Sequence, residues 1–180
     1  GIVAQSIASG GGLVDITTSS LNGGNFNGAI TLGGQSTVAG SVVAVTSSGA
    51  ISTGGEMADG ILAQSIGGGG GSFGIAHINA TQSGDGQLAF QLGSNAFNSQ
   101  QYSDAVTVNV TNSISTAGPG STGITAQSLG LGGGLLAFQL SNVSNLSLTG
   151  NLGSVANNIG NAGAVEVTST ASISSSGDYA

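Results

Sequence analysis

A seven-residue phrase recurs three times along the chain. It reads GIVAQSI from Gly1, GILAQSI from Gly60 and GITAQSL from Gly123, at spacings of 59 and 63 residues. Each copy runs into glycines, as ASGGG, GGGGG and LGLGGG. A second shared block precedes two of the copies, as VAVTSSGAISTGGEMADG before Gly60 and VTVNVTNSISTAGPGSTG before Gly123. A third version, VEVTSTASISSSGDYA, starts at Val165, so a fourth Gly-Ile start is expected just past Ala180. Self-similarity at a fixed period is the signature of a repeat architecture, in which each unit buries its apolar face against its neighbours. The expected units are 1–59, 60–122 and 123–180, the last truncated, and the chain is expected to be one continuous array within a longer protein.

Within a unit the apolar period is two. Val106, Val108 and Val110 alternate with Thr107 and Asn109, and Val165 and Val167 flank Glu166. Thirteen residues after each starting glycine stand Val14, Phe73 and Leu136, and fifteen after stand Ile16, Ile75 and Phe138. Asp15, Gly74 and Ala137 lie between them. One parity is large and apolar in every copy, as in a strand with one buried face. Helices are disfavoured, because Gly (35 residues), Ser, Thr and Asn make up 92 of the 180 residues and form helices poorly. Leu, Ile, Val and Phe still supply 45 residues, enough for a folded core.

These patterns predict an all-β parallel β-helix, or β-solenoid, of right-handed coil. Strand starts at Val106, Ile124, Leu146 and Val165 are 18, 22 and 19 residues apart. They predict about three coils of about 20 residues per 60-residue unit, hence about nine coils and a rod near 43 Å at ~4.8 Å per coil. In that register Gln5, Gln64 and Gln127 lie about 14 Å apart. A single wide coil per unit is the alternative, and it stacks the three glutamines directly. A narrow interior is expected to favour Val, Ile, Leu and Ala.

Composition excludes several chemistries. The chain has no Lys, no Arg and a net charge of −7, which removes the cations that a nucleic-acid backbone, a phosphate loop or an anionic lipid surface requires. Without Cys it has no disulfide and no thiolate site. No run of 18 apolar residues occurs, so no transmembrane helix and no membrane insertion are expected. The opening GIVAQSIASGGG lacks the basic segment of a signal peptide.

No catalytic, metal-ligating or cofactor-binding residue is expected. The single imidazole, His77, falls at the margin of a strand, two residues beyond Ile75 and level with Thr18 and Leu140. No GxSxG elbow accompanies it. The seven acids, Asp15, Glu56, Asp59, Asp85, Asp104, Glu166 and Asp178, are scattered. Only Glu56 and Asp59 share a turn, and two carboxylates fall short of the six to eight oxygens calcium takes. The motif residues are instead assigned a structural role: Gly1, Ile2, Ala4, Gln5 and Ser6; Gly60, Ile61, Ala63, Gln64 and Ser65; Gly123, Ile124, Ala126, Gln127 and Ser128. Repetition within one chain reports a shared place in the fold.

The succession of V-x-V, an I-S-T segment, a glycine turn, G-I-x-A-Q-S-I/L and a glycine tract resembles repeats in the passenger regions of bacterial autotransporters. The span Val106 to Gly134 carries it best, and the likeness covers about half of each unit. The resemblance implies a secreted, extracellular β-helical stalk at a bacterial surface, exported through a C-terminal outer-membrane barrel. The expected function is structural and non-catalytic: a stalk, adhesin or filament that self-associates end to end or laterally into fibres, or meets a ligand on a host or neighbouring cell. A carbohydrate-binding module is the alternative, with Phe26, Phe97, Tyr102 and Tyr179 as its candidate aromatics. A polysaccharide-degrading β-helix is the remaining one, and it would need paired acids that the sequence does not offer.

Overall fold

The computed structural model describes residues 1–17, 26–34, 38–79, 86–93, 100–141, 146–153 and 159–178. The described residues contain strands and turns and no helix. Fifteen strands form three coils of five. The first coil holds β1 (Ile2–Ile7), β2 (Gly11–Thr17), β3 (Phe26–Leu32), β4 (Val43–Ser47) and β5 (Ile51–Thr53). The second holds β6 (Ile61–Ile66), β7 (Gly70–Asn79), β8 (Gly86–Leu92), β9 (Val106–Val110) and β10 (Ile114–Thr116). The third holds β11 (Ile124–Leu129), β12 (Gly133–Ser141), β13 (Leu146–Leu152), β14 (Val165–Ser169) and β15 (Ile173–Ser175). Each strand pairs in parallel with its counterpart in the neighbouring coil, which gives five three-stranded sheets with the second coil always central.

The all-β parallel solenoid is therefore present, but each 60-residue unit makes one coil and not three. Val106, Ile124, Leu146 and Val165 do open strands, but β9, β11 and β13 lie on three different sheets, and Val165 opens the strand that pairs with β9. The expected rod of nine coils is replaced by three, about 14 Å of stacked strands at ~4.8 Å each. Twenty-residue spacing cannot tell strands set around one coil from strands set above one another. Residue-by-residue matching can. Gly11, Gly70 and Gly133 stack, as do Gly12, Gly71 and Gly134, all at positive φ between 113° and 149°. Such a backbone stacks only on a copy of itself, and a β carbon on Gly70 would fall onto the Gly133 carbonyl oxygen.

The coil encloses two apolar cores. Sheet β1-β6-β11 faces sheet β4-β9-β14, with Val43, Val45, Ile61, Ala63, Val106, Val108, Val110 and Ile114 between them. The second core lies between β2-β7-β12 and β3-β8-β13 and holds Phe73, Ile75, Leu88 and Leu92. Its interior is wider than the expected Val/Ile/Leu lining, for Phe73, Phe90 and Phe138 meet there with ring centroids 5.8–6.4 Å apart. The parity read from sequence sets this second core: Val14, Phe73 and Leu136 stack, and so do Ile16, Ile75 and Phe138. Beyond them the register slips, and Leu140 pairs with Ile78, which takes His77 out of the expected alignment with Leu140. The coil ends differ in cover: Val108 is fully buried in the central coil, whereas Val167, its partner in the third, is 46% exposed.

Candidate functional site

The G-I-x-A-Q-S phrase forms β1, β6 and β11, and each letter has a physical task. The isoleucines Ile2, Ile61 and Ile124 and the alanines Ala4, Ala63 and Ala126 point into the first core. The starting glycines leave room for the isoleucines of the I-S-T segments: a β carbon at Gly60 would collide with Ile114, and one at Gly123 with Ile173. Gln5, Gln64 and Gln127 stack directly, so the wide-coil alternative holds for them. Gln5 Nε2 donates to Gln64 Oε1 at 2.6 Å, and Gln64 Nε2 donates to Gln127 Oε1 at 2.7 Å. Gln64 is completely buried, and the ladder satisfies its carbonyl and one amide proton.

The serines bind each coil to the segment entering β4, β9 and β14. Ser6 Oγ accepts from the Ser41 backbone N–H at 2.8 Å. Ser65 Oγ donates to the Ser41 carbonyl at 2.9 Å and accepts from the Asp104 N–H at 3.0 Å. Ser128 Oγ does the same one coil on, to the Asp104 carbonyl at 2.9 Å and from the Gly163 N–H at 2.8 Å. Each of these two hydroxyls thus joins two successive coils as well as two faces of one coil.

The residues that break the repeat meet elsewhere. The outer faces of β1-β6-β11 and β2-β7-β12, with the turn at 55–60, enclose a cleft of about 380 Å³. Leu13, Ser72 and Leu135 stack on one wall, and Asp15, Gly74 and Ala137 stack beside them. Met57 takes a left-handed conformation (φ 52°) at the place of Gly120 in the next coil, whose φ is 68°. Its methyl stands 2.5 Å from the position a Gly74 β carbon would occupy, and Asp15 Oδ1 stands 2.6 Å from the same point. The missing side chain at Gly74 is what admits both.

Asp59 also lines the cleft, and its Oδ1 accepts from Thr122 N–H at 2.7 Å and Thr122 Oγ1 at 2.9 Å. Asp15 is raised above its ordinary carboxyl value of 3.8, first by burial and then by the charge of Asp59. Ser72 is 6% exposed, and its hydroxyl has no hydrogen-bond partner among the described residues. Sequence reasoning passed over Asp15, Met57, Ser72 and Gly74. The signal available was departure from the repeat: Asp15 stands where the other copies carry Gly and Ala.

The remaining candidates are not drawn together. Glu56 and Asp59 do share a turn, but no group of three or more His, Asp or Glu capable of holding a metal occurs among the described residues. His77 lies in β7 with its side chain outside the described residues, as does all of Asp85. Of the four aromatics, Phe97 and Tyr179 fall outside the described residues, as does the side chain of Phe26 in β3. Tyr102 is half-buried, and its carbonyl accepts from Gly40 N–H at 2.9 Å.

No family model matches the chain, and no curated protein and no solved structure matches it significantly.

Proposed function

We propose that this chain is a structural, non-catalytic segment of a long extracellular solenoid, a stalk, adhesin or filament at a bacterial surface of the autotransporter-passenger kind. One observation carries the reading: on all five sheets each strand pairs in parallel with its counterpart in the next coil, with the same glutamine and the same serine bonding across the step. A coil that receives and presents the same interface can be extended by adding coils, with stability rising by one unit and one interface each time. The composition supports this role. Identical charges stacked every ~4.8 Å would repel, whereas stacked Gln and Ser bond along the axis. Parallel edges left open at a coil end invite a further coil or a second rod end, which is the route to a filament.

Duplication of residues 60–122 tests the reading. Each inserted copy should lengthen the particle by about 4.8 Å in small-angle scattering and electron microscopy, and raise resistance to denaturant. Glycan arrays and polysaccharide turnover assays should stay silent. A particle that grows in width, or glycan binding lost on Tyr102→Ala, would replace the rod with a compact binding module. Polysaccharide turnover abolished by His77→Ala would replace it with an enzyme.

A further inference from the structure

We propose that the cleft between the outer faces of β1-β6-β11 and β2-β7-β12 binds a primary ammonium group on an aliphatic stem, the chemistry of a lysine side chain or a free alkylamine. The repeat itself points to the cleft. At this place a carboxylate, a methionine in a glycine's conformation and a buried serine depart from it and share one hollow. A left-handed non-glycine residue costs about 1–2 kcal/mol, and such strain collects where a site is shaped.

Three residues that line the hollow carry acceptors: Asp15 and Asp59 a carboxylate each, and Ser72 a hydroxyl. An ammonium carries three donors and no acceptor. Asp59 already has Oδ1 engaged by Thr122, which leaves it one oxygen for a ligand and disfavours the two parallel bonds a guanidinium prefers. Leu13, Leu62, Leu135 and the Met57 thioether supply the apolar wall for a stem of four or five carbons. Ser72, 94% buried by difference from its 6% exposure, has a hydroxyl left for the ligand. None of the 180 residues is a lysine or arginine, so no side chain of this segment supplies the cation. Mutual repulsion between the two carboxylates is relieved when a cation sits between them.

The test is a chemical-shift titration of the full ¹⁵N-labelled chain with pentylammonium, with pentan-1-ol as the uncharged twin, and with acetyl-Gly-Lys-Gly-amide. Pentylammonium should bind at least tenfold more tightly than pentanol and perturb amides of β2, β6 and β7. Asp15→Asn should weaken binding at least fivefold with the β-sheet circular dichroism unchanged. Gly74→Ala meets only the flexible ends of Met57 and Asp15, so it should fold and bind at least fivefold more weakly. A peptide that binds as tightly as the free amine identifies a protein lysine as the ligand, and a peptide at least tenfold weaker identifies a small amine. Equal binding of pentanol, perturbation confined to other strands, unaltered binding by folded Asp15→Asn and Gly74→Ala, or displacement of pentylammonium by millimolar calcium would each overturn the proposal.

Discussion

Removal of the Gln64 side chain tests the coil architecture most directly. Gln64 is fully buried and makes two side-chain bonds, one to the coil below and one to the coil above. Two amide bonds contribute about 1 kcal/mol each. The void left on truncation adds about 1 kcal/mol. Gln64→Ala should therefore cost about 3 kcal/mol, a fall of about 6–12 °C in thermal midpoint for a chain of this size. Gln5→Ala breaks one bond at a half-buried position and should cost about 1 kcal/mol. Urea unfolding followed by circular dichroism reads both values, and the double variant completes a thermodynamic cycle. The two losses should fall short of additivity by at least about 0.5 kcal/mol, because both variants delete the same bond. Coils of 20 residues would hold these glutamines about 14 Å apart, where losses add. Additive losses, or a Gln64→Ala cost no larger than that of Gln5→Ala, would refute the ladder and with it the one-coil unit.

Three further outcomes are expected. Val108→Ala, at a fully buried position of the central coil, should cost about 2 kcal/mol. Val167→Ala, at the same motif position but 46% exposed, should cost under about 0.5 kcal/mol, and denaturant midpoints compare the two. Gly70→Ala combines φ of 132° with a clash against the Gly133 carbonyl and should cost at least about 4 kcal/mol. Gly10→Ala has nothing within 4 Å of its β carbon and should cost only the left-handed strain of about 1–2 kcal/mol, so equal midpoints for the two would contradict the stacked glycine tract. The Asp15 carboxyl is raised above 3.8 by burial and then by Asp59, so the folded state holds that proton more tightly than the unfolded chain. The resulting stability is present below pH 3.8 and is lost as pH rises through the higher folded value. Asp15→Asn should therefore gain on the parent as pH is raised, and thermal midpoints that run parallel from pH 3 to pH 7 would contradict this.

Much of the fold was legible because the solenoid writes its cross-section into the repeat. Val14, Phe73 and Leu136, aligned by counting from the starting glycines, are stacked neighbours in space. Alternation in VTVNV placed Val106, Val108 and Val110 in a core, where all three are buried. The coil length was not legible in the same way. Strand period and strand spacing are properties of a single chain segment, while the stacking partner is a property of two. The information that chooses the partner sits in residues with a narrow tolerance for what lies above them: glycines at positive φ, and an amide that must find another amide.

That distinction also explains why the cleft was missed. A repeat search weighs what the copies share, and in a stacked structure what they share maintains the stack. The glutamine is common to all copies, and Gln64 is completely buried with its amide engaged by the coils on either side. The side chains of Asp15, Met57 and Ser72 have no like residue stacked on them in the neighbouring coil. Met57 strains the stack, and Asp15 adds charge to a wall its counterparts leave neutral. Stacking alone would favour glycine at 57 and a small uncharged residue at 15, as the neighbouring coil carries at both levels. In a chain whose regular positions are dictated by the coil above and below, a residue that costs the coil energy is explained by something outside it. Met57→Gly separates the two demands: it should raise the unfolding midpoint by removing about 1–2 kcal/mol of left-handed strain, while stripping the thioether wall from the cleft and weakening pentylammonium. A variant that gains stability and keeps full affinity would leave the strain at Met57 without a purpose in the site.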